Sequence, residues 1–222
     1  MLKDKNKSPA DDNRQYFYND EFYIRAEFPI INNWIKEGSK IIDLGCGNGS
    51  LMKFIKENKN AETEGIEISE SGVLAAINNG LKVKQGRIDN VDSYKEYANN
   101  QFDYAICNVT VQMVMFPEIL IREMKRIAKC QIISFPNFAF ISNRFDLVFF
   151  GRMPKPMLFG YNWYDTGHIH QLSVKDFKMF CRRQNLIISK QSYLGLGFFG
   201  KIVNIFVPNL FSKVAIFLCQ KK

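Results

Sequence analysis

Short apolar runs alternate with amphipathic stretches along most of this chain, the pattern of buried strands separated by helices. Lys40-Ile-Ile-Asp-Leu44 and Glu64-Gly-Ile-Glu-Ile68 are strands by length, and further strands fall at residues 81–85, 102–108 and 130–135. Between them, Leu51, Phe54 and Ile55 recur at helical spacing over residues 50–58. Ser69 is placed to cap a helix through Ile77 that Gly80 ends, since serine accepts from free amides and glycine takes the left-handed C′ position. Pro117 opens another helix, where its missing N–H costs nothing. In it Ile119, Leu120, Met124, Ile127 and Ala128 face the core, while Lys125, Arg126 and Lys129 complement the helix dipole. With two final strands at residues 186–189 and 214–219, this predicts an α/β fold: a doubly wound, mostly parallel seven-stranded sheet with helices on both faces.

The alternation fails in two places. Residues 1–13 mix charge with Ser and Pro, and residues 1–20 are expected to be a disordered lead to a domain spanning 21–222. Residues 16–35 carry the spacing of one or two helices ending before Gly38. Residues 137–171 form a loop-rich aromatic insertion with one helix at 144–150, and so long a loop in a compact domain points to function. Ser173-Val-Lys-Asp176 then has the form of a capping box, opening a helix to Gln184. The apolar stretch 194–219 is interrupted by Lys201, Asn204, Pro208, Asn209 and Lys213, so it reads as core and not as a membrane span.

The chemistry concentrates in Asp43-Leu-Gly45-Cys46-Gly47-Asn48-Gly49, a strand end turning into a helix. Glycines admit positive φ and close ligand approach, and a helix N-terminus offers free N–H groups. A nicotinamide dinucleotide and S-adenosylmethionine both suit such a loop. The spacing is G-x-G-x-G with Ser50 following, not the dinucleotide G-x-G-x-x-G. Asp43, two residues before the first glycine, would repel a pyrophosphate and attract an ammonium and a sulfonium. Glu67 lies 18 positions past Gly49 at the end of the second strand, where an acid can accept ribose hydroxyls. The loop and the two acids together favour S-adenosylmethionine or S-adenosylhomocysteine, with the ligand carboxylate on the loop amides.

Composition narrows this little. The cysteines at 46, 107, 130, 181 and 219 are scattered and odd in number, which argues against a disulfide framework or zinc ribbon and favours a reducing cytoplasm. No secretory leader pattern opens the sequence, and no His/Cys/carboxylate cluster has metal-ligand spacing. Of the net charge of +8, residues 121–222 hold +12 and residues 1–120 hold −4. A basic half suits nucleic acid, an acidic protein or an anionic substrate, or is simply a solvated surface.

The sequence resembles the MetW family of methionine-biosynthesis proteins, a branch of the Rossmann-like class I methyltransferases, from about Arg25 onward. The resemblance rests on Ile42-Asp-Leu-Gly-Cys-Gly-Asn-Gly49, Gly65-Ile-Glu-Ile68, Phe102-Asp-Tyr104, Ser134-Phe-Pro-Asn-Phe138, Gly151-Arg-Met-Pro154, Trp163-Tyr-Asp-Thr166, Ile169-His170 and Asp176-Phe177. It implies a cofactor-binding set of Asp43, Gly45, Cys46, Gly47, Asn48, Gly49, Glu67, Ile68, Asp89 and Asn108, and a role in methionine synthesis beside homoserine O-acyltransferase. Gln85-Gly-Arg87-Ile-Asp89 departs from the family's Q-x-D-L-D, placing Arg87 where an adenine-side Asp is expected, and His168 stands where Asn is more usual.

His170 matches the family's histidine and is the first candidate for a base or substrate ligand, with Tyr164 beside it; strand-like alternation would point His168 and His170 opposite ways. Trp163, Tyr164 and Asp165 could line an acceptor pocket, and Arg152 could hold a carboxylate. Asn108-Val-Thr-Val is not the Asn/Asp-Pro-Pro-aromatic motif of methyltransferases acting on adenine or glutamine nitrogen. The expected function is methyl transfer to a small molecule. The alternatives are a non-catalytic regulatory subunit of homoserine O-acyltransferase and, behind it, an RNA methyltransferase, which the absence of a dense basic stripe disfavours.

Overall fold

The computed structural model describes residues 24–154, 163, 166–195 and 206–222. Seven strands form one sheet in the order β3-β2-β1-β4-β5-β7-β6. In chain order the elements are α1 (Phe28–Trp34), β1 (Lys40–Leu44), α2 (Ser50–Lys59), β2 (Glu62–Glu67), α3 (Glu70–Asn78), β3 (Lys82–Gln85), β4 (Phe102–Asn108) and α4 (Pro117–Ile127). Then come β5 (Ala128–Pro136), α5 (Ile141–Phe150), α6 (Val174–Arg183), β6 (Leu186–Gly195), α7 (Pro208–Phe211) and β7 (Ser212–Lys221). The first five strands are parallel, and β7 runs antiparallel to both β5 and β6.

Strand alternation sorts the core onto two faces. Ile42, Leu44, Ala105, Cys107, Ile133, Phe135 and Phe217 pack under α4 and α6. Ile41, Tyr104, Ile106, Ile132, Ile216 and Leu218 pack under α1 and α2. In α4, Leu120, Ile121, Met124 and Ile127 are wholly buried, each stabilising by about 2 kcal/mol. Ile121 replaces the expected Ile119, which is only half-buried. Glu123 is buried on the same helix, where Arg126 Nε at 2.7 Å and Arg122 Nε at 3.3 Å neutralise it.

Both expected caps form. Ser69 accepts from the Gly72 amide at 3.4 Å, and Ser173 and Asp176 close a reciprocal capping box at the start of α6. β6 runs well beyond the expected strand because Ser189, Lys190 and Gln191 of this edge strand are exposed and end the apolar pattern, and β7 extends two residues further at each end than expected. Within the apolar stretch 194–219, β7 is core as expected, but Phe206 and Val207 are exposed, and residues 196–205 lie outside the described residues. No helix among the described residues is long and apolar enough to cross a membrane.

Asn137, in the Phe-Pro-Asn-Phe run, ties the second half together. Its Nδ2 donates to Asn209 O at 3.1 Å and Ser212 O at 2.9 Å, and its Oδ1 accepts from the Ala139 and Val174 amides. One wholly buried amide thereby joins the approach to α5, the first turn of α6 and the start of β7.

The strand order reverses between β1 and β4, and crevices for ligands form at such a reversal, outside the carboxyl ends of the strands. Asp43 is the last residue but one of β1 and Asn108 the last of β4, and Glu67 ends β2 on the far side of β1.

Candidate functional site

The glycine loop leaves β1 with Gly45, Gly47 and Gly49 all at positive φ. A side chain at Gly45 would collide with Thr110, whose Cγ2 lies 2.5 Å from where a Cβ would stand. Thr110 is held there by an unusual turn. Val109, a β-branched residue, sits at φ +54, a conformation that costs about 1–2 kcal/mol. Its amide donates to Ser134 O and Oγ, both at 3.0 Å, and Thr110 Oγ1 donates to Asn108 O at 3.0 Å. The strain thus closes the end of β4 over the loop.

Glu67 shapes the loop from the other side. Its Oε2 accepts from the Gly47 amide at 2.7 Å and its Oε1 from the Ser69 amide at 2.9 Å. The Gly45 and Cys46 amides both donate to Ile66 O. The expectation that these amides wait for a ligand carboxylate is therefore corrected: those of Gly45, Cys46 and Gly47 serve the loop itself. Asn48 Oδ1 accepts from Ser50 N and Oγ, bracing the start of α2. The Cys46 side chain turns inward against Gly65 and Met52, and Ile68 is half-buried with its carbonyl accepting from Gln85 Nε2.

Asp43 is 3% exposed and its Oδ1 has no hydrogen-bond partner. Burial pushes its carboxyl up to about 7; the Arg25 charge opposes the rise, and Glu67 adds to it. A buried acceptor without a partner costs about 1–3 kcal/mol, so its persistence points to a donor that arrives from outside. A cationic amine is such a donor, and the site fits S-adenosylmethionine in that respect.

Asn108 is buried between two groups, donating to Glu27 Oε1 at 3.2 Å and accepting from Ser134 Oγ. Arg25 Nε pairs with Glu27 at 3.0 Å. Arg25 and Glu27 thus belong to the site, although the apolar spacing of residues 16–35 does not mark them. Asp89 Oδ2 accepts from the Met115 and Phe116 amides at 2.8 and 3.3 Å, and Arg87 grips both Asp89 oxygens. Asp89 thus ties the loop after β3 to the approach to α4, and Arg87, at the family's acidic position, holds Asp89 in place.

Beyond β4, the Ile169 and His170 amides both donate to Gln112 O at 2.9 Å. This pulls His168 and His170 into one small cavity, where alternation predicts opposite directions. Burial lowers the His168 pKa. Gln112 is 1% exposed and no motif points to it. Tyr164 and Asp165 lie outside the described residues, and Trp163 is exposed. Arg152, expected to hold the carboxylate of a ligand or partner, pairs with the chain's own Asp146 at 2.7 Å and lies over the Phe150 ring.

Residues 25–219 match the family described as methionine biosynthesis protein MetW. The chain belongs to that family. A bifunctional methionine biosynthesis protein MetXA/MetW of Rhodopirellula baltica is 32% identical to this MetW chain over 168 residues, covering 72% of it and 27% of the relative. A ubiquinone biosynthesis O-methyltransferase of Stutzerimonas stutzeri is 29% identical over 110 residues, covering 46% of the MetW chain and 47% of the relative. The chain thus spans half the length of these curated relatives or less.

The fold is that of solved S-adenosylmethionine-dependent methyltransferases. One from Archaeoglobus fulgidus superposes with a TM-score of 0.66 at 12% identity, covering 88% of the MetW chain and 92% of the other. Another from Thermotoga maritima, described as a possible histamine N-methyltransferase, gives 0.60 at 16% identity, covering 89% and 88%.

Proposed function

We propose that this MetW-family chain binds S-adenosylmethionine at the glycine loop and transfers its methyl group to a small molecule of methionine metabolism. The observation that carries this is the unpartnered, buried Asp43 Oδ1 beside the loop. In this reading Asp43 accepts from the ligand ammonium. Glu67 accepts from the ribose hydroxyls, since each carboxylate oxygen takes more than one hydrogen bond. Gly45, Cys46, Gly47, Asn48 and Gly49 present the backbone against the ligand, and Ile68, Asp89 and Asn108 border it. When bound, S-adenosylmethionine supplies a methyl group made electrophilic by its sulfonium. His170 and Tyr164 attend the acceptor.

Calorimetry with S-adenosylmethionine, S-adenosylhomocysteine and NAD tests the binding. The two sulfur nucleosides are expected to bind and NAD to give no heat, and Asp43→Asn is expected to weaken binding by about tenfold or more. Heat with NAD alone would reverse the assignment. A radiolabelled methyl group recovered in a small metabolite tests the transfer.

A second reading makes the chain a regulatory partner of homoserine O-acyltransferase, the companion that the family resemblance implies. The relative that joins MetXA and MetW in one chain favours it. Co-purification with the acyltransferase, and a change in its rate on adding this chain, would support that reading; failure of both removes it.

A further inference from the structure

Gln112 Oε1 and His170 Nε2 are both buried, and neither has a hydrogen-bond partner. Both residues line the same cavity, together with Asn143 and His168. The Gln112 amide is fixed in orientation, because its Nε2 lies 2.9 Å from Val109 O and 3.4 Å from His168 Nε2. Only an acceptor is left over, so an incoming group must bring a hydrogen to it. The cavity measures about 10 Å3, room for one group the size of a water or an ammonium. The bulk of any ligand therefore stays outside while its polar head enters. Gln112 stands two residues beyond Thr110, which closes over Gly45, so the cavity adjoins the turn that covers the glycine loop.

Resting on the methyltransferase reading, we infer that this pair receives the nucleophile of the methyl acceptor and that the nucleophile is an aliphatic primary amine. With neutral His170 carrying its hydrogen on Nδ1, so that Nε2 accepts, the one hydrogen of a hydroxyl cannot satisfy both groups, whereas an ammonium donates to Gln112 Oε1 and His170 Nε2 at once. His170 Nε2 then takes one proton, and the amine turns on its remaining bond to Gln112 Oε1 so that the freed lone pair faces the methyl group. That pair forms the N–C bond as the C–S bond of the sulfonium breaks, and the C–S electrons remain on sulfur as a neutral thioether. The nitrogen leaves as a monomethylammonium and His170 as an imidazolium, so charge and protons balance. Gln112 is a specificity residue in this scheme, and His170 is catalytic.

The test uses the full chain and three probes of equal size: n-propylamine, n-propanol and propionate. Side-chain nitrogen resonances of Gln112 and His170, followed by NMR, are expected to shift saturably with n-propylamine and not with the other two. Gln112→Leu should abolish those shifts while leaving the calorimetric affinity for S-adenosylmethionine unchanged, so failure here is separable from failure of cofactor binding. His170→Phe, which removes the other acceptor and keeps the Gln112 bond to Val109 O, should abolish the Gln112 shift as well and serves if the leucine variant does not fold. Equal response to n-propanol, or no response to any probe because the pair merely holds a solvent molecule, would overturn the inference.

Discussion

The Gly47 amide and Glu67 Oε2 are 2.7 Å apart, so the acid at the end of β2 holds the glycine loop in shape before any ligand reaches it. Glu67→Gln must set an NH2 group against either the Gly47 or the Ser69 amide. We expect this variant to lose about 1–3 kcal/mol of stability in urea unfolding without ligand. An acid serving only as a ribose ligand would leave the unliganded protein unchanged.

Asp43 makes stability depend on pH. Its folded-state value is raised from 3.8 to about 7, so ionisation costs the fold. Stability conferred by the protonated acid is full at low pH and is lost as pH rises through that window, by at most about 4 kcal/mol. Asp43→Asn should remove this loss and stabilise the unliganded protein in mildly alkaline buffer. Binding of an ammonium-bearing ligand should strengthen over the same rise in pH. Urea midpoints and calorimetry across the range check both signs; a wild-type midpoint that rises with pH to the same extent in the asparagine variant would refute the assignment.

Gly45→Ala meets two obstacles, φ +79 and Thr110 Cγ2 at 2.5 Å. The expected cost is about 2 kcal/mol or more. Adding Thr110→Ser removes the methyl group in the way and should recover the steric share alone, which a double-mutant cycle of unfolding free energies measures.

Asn137→Ala strands the carbonyls of Asn209 and Ser212 and the amides of Ala139 and Val174. We expect a loss of about 3 kcal/mol, or roughly 6–12 °C in melting temperature for a chain of this size. Calorimetric melting provides the check. A small shift would mean that water replaces the amide, and would leave the Phe-Pro-Asn-Phe run without its structural reason.

β1, β4 and β5 were legible in the sequence because burial on both faces makes them largely apolar runs, and Asp43 and Asn108 could be placed near the ends of β1 and β4 for that reason, whereas β2 and β3 carry Glu62, Glu64, Lys82 and Lys84 and are only partly buried. The caps at Ser69 and Ser173 were equally readable, since capping is local chemistry. What escaped was decided across long separations. Glu27 reaches Asn108 over 81 residues, and no local pattern pairs them. Glu67 was legible as an acid at a strand end, but not its hold on Gly47, which depends on the turn the glycines adopt. His168 and His170 follow no strand rule because consecutive amides there bond to one carbonyl, that of Gln112. Gln112 itself gave no signal, being one polar residue in a turn.

The placement of β7 between β5 and β6 bears on how the molecule is assembled. As the ribosome extrudes the chain, β6 appears before β7, the one strand it pairs with among the described residues, and the outer edge of β5 lacks its neighbour over the same interval. Two open edges thus coexist until β7 is made; β6 and β7, consecutive and antiparallel, then pair with each other and dock on β5 through β7. Over that interval both edges present unpaired backbone groups to which another chain could add a strand.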